Sequence, residues 1–308
     1  MENVIEVNKL IKRYGNLTAV DGISFNVKKG EIFGLLGENG AGKTTTLEII
    51  EGLRRGTEGT VKVLSEDVTR GCSKSIKEKI GVQLQSSAYY QFLTLKEILD
   101  LFGSFYQKAL SSDELLEMVN LKSKAKSLVA ALSGGQKQRF SIIASLVNDP
   151  EIVFLDEPTT GLDPLARRNL WELIAKIKNQ GKTIILTTHY MEEAEVLCDR
   201  IAIMEKGKII AAGETHKLIE STKNPYKISF FAKVESSIEK ELSELGDLKN
   251  LAGKSNHFEM HLKSQDNVNK AMQIINKLNP ESLTVGRASL EDLFIELTGR
   301  SIMEEENA

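Results

Sequence analysis

Residues 37–45, Gly-Glu-Asn-Gly-Ala-Gly-Lys-Thr-Thr, constrain this chain more than any other stretch because they fit the pattern G-x-x-x-x-G-K-[ST]. A short apolar run at 31–36 precedes them, as a buried strand would, and residues 44–53 can form a helix. Glycine lets such a loop turn its N–H groups inward around phosphate oxygens, and the following helix directs its positive end at the same anion. The pattern predicts a phosphate site formed by Gly37, Asn39, Gly40, Ala41, Gly42, Lys43, Thr44 and Thr45.

Two side chains of this loop have predicted roles of their own. Lys43 is expected to bridge the β- and γ-phosphates of a nucleotide, and Thr44 to offer its hydroxyl to Mg²⁺. The alternative is a glycine-rich turn with a solvated lysine. The strand and helix on either side favour the phosphate loop.

Composition narrows the class of partner. The 308 residues suggest a main domain and a smaller one, and a net charge of −3 gives no field that would draw the chain to nucleic acid or anionic lipid. The N-terminus does not read as a secretory signal, so we expect a cytoplasmic protein. Apolar runs such as 140–147 are shorter than the roughly 18 residues that span a bilayer, so a membrane role requires a partner. Cys72 and Cys198 are expected to be reduced packing residues.

The segments around the loop add two candidate ligands. Residues 4–9 and 19–27 alternate as strands of an antiparallel layer, and Tyr14 precedes the turn between them. Its ring could stack on a base or be an ordinary half-buried tyrosine. In the strand at 80–85, Gln83 and Gln85 share a face, and either could bind a metal. Gln85 is the better candidate because it lies where the strand gives way to a loop.

Residues 86 to about 147 change to helical spacing and are predicted to be an insert. The insert contains Leu-Ser-Gly-Gly-Gln at 132–136, followed at once by a helical run. Ser133 is predicted to cap that helix and leave backbone N–H groups available for an anion.

Two further strands are predicted to end in polar residues. The apolar run at 151–155 is followed by Asp156 and Glu157, at the strand end where α/β sheets bind ligands. Because successive side chains of a strand point to opposite faces, we assign Asp156 to Mg²⁺ and Glu157 to the attacking water. The alternative is that both carboxylates are solvated beyond the end of the strand. The strand predicted at 183–189 ends in His189, which is either structural or a contact for the γ-phosphate.

In this order and spacing the chain resembles the ATP-binding subunits of ABC transporters over residues 1 to about 220. The resemblance implies an α/β P-loop NTPase core with an antiparallel β layer and a helical insert. It also implies that Tyr14 stacks on adenine, that Gln85 and His189 are switch residues, and that Glu157 is the general base. The implied cross-subunit residues are Ser133, Gly134, Gly135 and Gln136 of the signature and Asp163 of the following turn. That turn reads Thr-Gly-Leu-Asp where many members have Ser-Ala-Leu-Asp.

The resemblance also implies partners. Two copies would stack head to tail, so that each signature closes over ATP held by the other, at the cytoplasmic side of a separate membrane permease. Residues 225–308 are predicted to form an accessory α+β domain of β-α-β-β-α-β order, suggesting a ferredoxin-like sandwich. The final run at 288–299 resembles the tail of drug-efflux-type exporters, and this favours export.

Two other functions are alternatives to that of a transporter ATPase. A soluble ABC-type ATPase of translation or DNA repair would carry two cassettes or long coiled coils, and this chain has one phosphate loop and no sustained heptads. A regulatory module with little turnover would lack the base or the signature, and both are present. The sequence does not choose among drug, lipid, sodium and peptide as the transported substrate, because nothing in it lines a transport path.

An aromatic cluster follows Gln85 and comprises Tyr89, Tyr90, Phe92 and Leu93. It is either a satellite core under the insert or a socket for a short helix of the membrane subunit.

Overall fold

The computed structural model describes residues 2–83, 89–251 and 256–299, and the chain divides into two compact units after Glu214. The strands of the first unit are β1 Asn3–Tyr14, β2 Leu17–Lys28, β3 Ile32–Leu36, β4 Glu58–Val63, β5 Glu66–Asp67, β6 Ile80–Gln83, β7 Ile152–Asp156, β8 Thr183–Thr188, β9 Arg200–Glu205 and β10 Lys208–Glu214. Its helices are α1 Lys43–Ile50, α2 Lys74–Lys77, α3 Leu95–Gly103, α4 Ser112–Met118, α5 Gly134–Ala144, α6 Pro164–Asn179 and α7 Met191–Leu197.

Two sheets form the first unit. The antiparallel layer has the order β2-β1-β4-β5, and the central sheet has the order β10-β9-β3-β8-β7-β6. In the central sheet β9, β3, β8, β7 and β6 are parallel, and β10 pairs antiparallel with β9 at one edge. Every residue of β3, β7 and β8 is buried, as expected for central strands of a parallel sheet that is covered on both faces.

Helix starts in this unit follow from their capping residues. Ser133 caps α5 in a capping box with Gln136, and Thr94 caps α3 in the same way with Glu97. Asp163 caps α6, whose first residue is Pro164, and the fixed φ of proline suits that position. Each cap satisfies backbone N–H groups that the helix leaves without partners.

The α/β core, the antiparallel layer and the helical insert predicted from the sequence are confirmed. The predicted helix after the signature is too long, because α5 ends at Ala144 rather than near Val147. The backbone N–H of Ser145 still bonds back into the helix, but Asn148 turns its side chain to the carbonyl groups before β6. The division after Glu214 also differs from the predicted boundary between 220 and 225, since the next helix belongs to the second unit.

The second unit has the predicted β-α-β-β-α-β order, preceded and followed by a helix. Its four strands are antiparallel in the order β12-β13-β11-β14, which is the ferredoxin-like arrangement. The elements are α8 Thr215–Glu220, β11 Tyr226–Phe231, α9 Ser236–Leu245, β12 Gly246–Asn250, β13 His257–Leu262, α10 Gln265–Lys277, β14 Ser282–Arg287 and α11 Leu290–Thr298.

Alternation along the strands of this unit separates a core face from a polar face. Ile228, Phe230, Phe258 and Met260 are buried in one cluster with residues of α9 and α10. This period of two is what a sheet packed on helices requires. Within the described ranges no helix has the length and apolar character needed to cross a bilayer.

The polar face of the sheet carries a charge network. Lys227 Nζ lies 2.9 Å from Glu259 Oε2 and 3.5 Å from Asp292 Oδ1, and His261 Nε2 lies 2.9 Å from Glu259 Oε1. His261, Glu259 and Asp292 have metal-ligand chemistry and lie close together. The Lys227 ammonium contacts both carboxylates, Glu259 and Asp292, where a metal ion would otherwise lie. We therefore interpret the network as a set of ion pairs that joins β11, β13 and α11.

We predict that Glu259→Gln destabilises the second unit. The hydrogen bond from His261, and then the contacts with Lys227, lower the pKa of Glu259 from 4.5 to about 2 against the opposing effect of burial. A carboxylate with a lowered folded-state pKa stabilises fully above its unfolded pKa, and the contribution is lost as pH falls from 4.5 toward 2. The loss at pH 7 should be about 2 kcal/mol.

Amide hydrogen exchange of β11 and β13 in the full chain measures this difference. The variant should exchange faster than the wild type at pH 7, and the two should converge as pH falls toward 2. Glu291→Gln, at an exposed position of α11, is the matched control. Equal protection of variant and wild type at pH 7 would contradict the assignment.

Candidate functional site

Three neighbouring strands bring the predicted site residues to one edge of the central sheet. In the order β3-β8-β7 all three strands are parallel, so their carboxyl ends lie side by side. The phosphate loop follows β3, Asp156 ends β7, and His189 follows β8. This is the edge at which open α/β sheets bind ligands.

The backbone of the phosphate loop requires glycine at two positions. Gly37 has φ 158° and Gly42 has φ 99°, in the region that L side chains rarely adopt. A Cβ at Gly37 would lie 2.3 Å from the carbonyl oxygen of Met204, and one at Gly42 would lie 2.4 Å from that of Ala19. The loop therefore packs against neighbouring backbone with no space for a side chain at either residue.

Lys43 is buried at the start of α1, and its ammonium group faces into the loop. Nζ donates to the carbonyl oxygens of Gly37 at 2.8 Å and Glu38 at 3.0 Å, and it lies 3.4 Å from Glu157 Oε1. Burial lowers the pKa of Lys43, while Glu157 acts in the opposite direction. In this structure two carbonyl groups and one carboxylate thus surround the three N–H donors of the Lys43 ammonium.

Asp156 joins the loop to the strands. Its Oδ1 accepts a hydrogen bond from Thr44 Oγ1 at 3.3 Å and another from Thr187 Oγ1. Burial raises the pKa of Asp156, and the two hydroxyl groups oppose that effect. The carboxylate and the Thr44 hydroxyl supply the hard oxygen donors that Mg²⁺ prefers.

Glu157 leaves the strand in an unusual conformation. Its φ is 46°, and its N–H donates to Thr187 O at 3.2 Å and to Thr187 Oγ1 at 3.0 Å. Oε2 accepts from Thr160 Oγ1 at 3.2 Å and lies 3.3 Å from His189 Nδ1. The His189 contact, and then the charge of Lys43, lower the pKa of Glu157 from 4.5 to about 2 against the effect of burial.

The structure thus brings together Lys43, Thr44, Asp156, Glu157 and His189 through direct contacts. Other predicted residues are held elsewhere. Ser133 is exposed, and its hydroxyl accepts a hydrogen bond from the N–H of Gln136. In return, Gln136 Oε1 accepts from Ser133 N at 3.1 Å and from Lys124 Nζ at 2.9 Å. Exposed Gly134 and half-buried Gly135 begin α5.

Tyr14 and Asp163 also stand apart from the phosphate loop. Tyr14 ends β1 with 38% of its surface exposed, and its ring has Lys12 Nζ at 4.7 Å and the Arg54 guanidinium at 5.5 Å from its centroid. Asp163 accepts from Ala166 N at 2.9 Å as the cap of α6. Within the part of the chain that the structure describes, no hydrogen bond or ion pair links Ser133, Tyr14 or Asp163 to the loop.

The remaining predicted residues are four residues of the phosphate loop and the two glutamines near the end of β6. In the loop, Asn39 and Gly40 are exposed, Ala41 is buried and Thr45 is half-buried. Gln83 ends β6 and is buried, whereas Gln85 lies outside the described residues.

Sequence reasoning missed Thr187 and Thr160. Thr187 bonds both Asp156 and the backbone of Glu157, and Thr160 bonds the Glu157 carboxylate. A signal existed for the first, because two threonines at the end of an otherwise apolar strand must find partners. The second depends on the turn at Glu157, which no spacing rule predicts.

The predicted aromatic cluster separates into two parts. Tyr89 packs on Phe140 at a centroid distance of 5.2 Å and on Phe102 at 6.2 Å, as a satellite core would. Tyr90 and Phe92 are 61% and 91% exposed. Tyr89 also lines a groove of about 510 Å³ that is bordered by apolar and aromatic side chains, among them Leu53, Phe102, Phe105 and Tyr106.

Known proteins share this sequence and fold. The family described as "ABC transporter" matches residues 20–160. The Nod factor export ATP-binding protein I of Burkholderia orbicola is 37% identical across 97% of this chain and 98% of its own length. The protein of the same name from Paraburkholderia xenovorans is 38% identical across 98% and 99%.

Solved structures agree with the sequence relatives. An ABC transporter cassette in its ADP conformation has a TM-score of 0.64 at 25% identity, over 71% of this chain and 94% of its own. A dimeric cassette bound to ADP and Pi after hydrolysis has a TM-score of 0.61 at 28% identity, over 68% and 98%. The chain therefore belongs to the ABC transporter family, as one of its ATP-binding, ATP-hydrolysing subunits.

Proposed function

We propose that this subunit powers export through a separate membrane-spanning permease, which it meets at the cytoplasmic face of the cell membrane. Support for export comes from the names of relatives that match nearly the whole chain, including its second unit. The observation that carries the proposal is the convergence of Lys43, Asp156, Glu157 and His189 at one sheet edge. This full-length similarity to export subunits also disfavours the rival soluble ATPase of translation or repair.

Nucleotide binding is proposed to begin with an exchange of partners at Lys43. Its ammonium is held by two backbone carbonyl groups and by Glu157. The β- and γ-phosphates offer stronger, fully charged acceptors within the same loop, so Lys43 turns to them. Glu157 then loses its closest cation, and its pKa rises toward the range of a useful base.

The donor set around Thr44 fits Mg²⁺. The Thr44 hydroxyl and the Asp156 carboxylate already face each other at 3.3 Å, and the family resemblance adds Gln85 as a third ligand. A Mg²⁺ ion bound there neutralises charge on the phosphate oxygens. Thr187 keeps the Asp156 carboxylate oriented toward the loop.

Hydrolysis is assigned to Glu157 and His189. Glu157 orients the attacking water and accepts its proton. Thr160 and the backbone of Thr187 hold Glu157 in position. His189 lies beside the same carboxylate and contacts the γ-phosphate. The five grouped residues thus cover phosphate binding, metal binding and activation of water.

Dimer formation explains the residues that stand apart. Ser133, Gly134, Gly135 and Gln136 form the partly exposed start of an 11-residue helix, whose N-terminal backbone and positive dipole end suit a phosphate held by a second copy. Asp163 is proposed to face the partner copy at the start of α6, and Tyr14 to stack on adenine. Hydrolysis removes the charge that holds the two copies together.

The groove beside Tyr89 is proposed as the docking site for a short helix of the permease. Its lining is largely apolar and aromatic, with Glu51 and Lys77 among the polar residues, and Phe105 is 66% exposed. Gln85 lies in the segment between β6 and Tyr89, so it is the proposed reporter of nucleotide state to this groove.

Glu157→Gln tests the base. The variant should bind ATP as the wild type does and lower turnover by about 10²-fold or more, because an amide cannot accept the proton from water. It should also accumulate as an ATP-bound dimer, measured by size-exclusion chromatography. Glu151→Gln is the control, because Glu151 is an exposed carboxylate that directly precedes the first residue of β7. Near-normal turnover in Glu157→Gln would remove the assignment.

Ser133→Arg tests the cross-subunit signature. This variant should lose turnover while the monomer binds nucleotide almost normally. Mixing it with a Lys43→Ala chain should restore partial activity, because one site of the mixed dimer has both Lys43 and a partner's Ser133 intact. Thr94→Arg removes the equivalent cap of α3 and controls for lost capping energy. No recovery in the mixture would place Ser133 at its own chain's nucleotide.

Substitutions test the groove through Phe105, which lines it, and the exposed aromatic residues that follow Tyr89 in the chain through Tyr90 and Phe92. Tyr90→Ser with Phe92→Ser, and separately Phe105→Ser, should leave folding and ATP binding unchanged, because these side chains are largely exposed. Capture of the subunit by permease-containing membranes should fall by about tenfold. Val196→Ser, 58% exposed on α7, is the control. Normal capture and transport by all variants would place the docking site elsewhere.

A further inference from the structure

Several buried polar atoms without hydrogen bonds gather next to the proposed hydrolytic residues. Within the described ranges, Thr159 Oγ1, Arg167 Nε and Glu193 Oε2 are buried and have no such partner. A buried polar atom without a hydrogen bond is rare in native proteins and destabilises the fold. These three atoms belong to a polar junction formed by residues of the segment after Glu157, of α6 and of α7.

Glu193 of α7 is the centre of this junction. It is fully buried, and its Oε1 accepts from Trp171 Nε1 at 3.2 Å. Burial raises the pKa of Glu193, while the nearby hydroxyl groups of Thr188 and Thr159, then Trp171, oppose that effect. A buried carboxylic acid in its neutral form can donate one hydrogen bond and accept others.

The groups around Glu193 belong to three segments that carry site residues. Thr159 follows Glu157 by two positions, and Thr188 directly precedes His189. Trp171 lies on α6, which begins after Asp163. Arg167 of the same helix lowers the pKa of Glu193 and places its guanidinium 4.4 Å from the centroid of the Tyr190 ring.

We propose that Glu193 is a positioning residue for hydrolysis, whose buried carboxyl aligns the segment after Glu157 with the strand end that carries His189. The inference rests on the proposed function of Glu157 and His189. Because Trp171 Nε1 fixes Oε1, the second oxygen is available to Thr159 or Thr188. A hydrogen bond made there ties the base and the histidine to a common anchor without touching ATP.

Glu193→Ala in the full chain tests the proposal. We expect kcat for ATP to fall by about tenfold or more, because misplaced catalytic groups slow the chemical step, while ATP affinity changes by less than about twofold. Glu193→Gln should stay within about threefold of wild type, since an amide reproduces the neutral acid's ability to donate and accept. Rescue by glutamine separates positioning from mere filling of space.

Two further variants keep the test decisive. Trp171→Phe keeps the ring but removes the Nε1 donor, so it should lower kcat less than Glu193→Ala, and combining the two should add little. Glu192→Ala, exposed on the same helix, should have no effect.

Normal kcat in Glu193→Ala, or a glutamine variant as defective as the alanine variant, would overturn the proposal. If Glu193→Ala does not fold, a normal kcat in Trp171→Phe would overturn it. Failure of the proposed function itself is a separate result, because it would appear as absent turnover in the wild type.

Discussion

The ion pair between Lys43 and Glu157 connects the parts of this molecule on which ATP chemistry depends. It joins the phosphate loop after β3 to the strand end after β7, and the intervening strand β8 contributes His189 on the other side of the same carboxylate. Both charges are largely buried, so removing either one takes from the other an opposite charge within 3.4 Å. The same burial makes each group responsive to a new anion. The parallel sheet is therefore both the scaffold of the site and the reason that its charges interact strongly.

Much of this arrangement was predictable because it is encoded locally. The apolar runs at 32–36, 152–155 and 184–186 are typical of buried parallel strands, and each is followed by functional residues. Caps at Ser133 and Asp163 likewise follow from residue type and position. The β-α-β-β-α-β order of the second unit was readable from changes in periodicity alone.

Features that depend on tertiary contacts were not predictable. Thr187 binds Asp156 and Glu157 only because β8 lies between β3 and β7 in the sheet. The aromatic cluster looked uniform in sequence, but Tyr89 is half-buried against Phe140 whereas Phe92 is exposed. The division after Glu214 also differs from the predicted boundary between 220 and 225, because α8 packs on α11 from the far end of the chain. Sequence spacing has no information about such distant partners.

The backbone of Glu157 has a consequence for how this protein can change by mutation. A φ of 46° costs a residue with a side chain about 1 kcal/mol or more, and glycine avoids that cost. The contacts with His189 and Lys43 oppose that cost, because they lower the pKa of the carboxyl to about 2 and so stabilise the folded chain at neutral pH. Glycine at this position would relieve the backbone and lose those contacts together. A laboratory evolution experiment on this subunit would therefore exchange one effect for the other here, and a selection for hydrolysis is what distinguishes glutamate from its replacements.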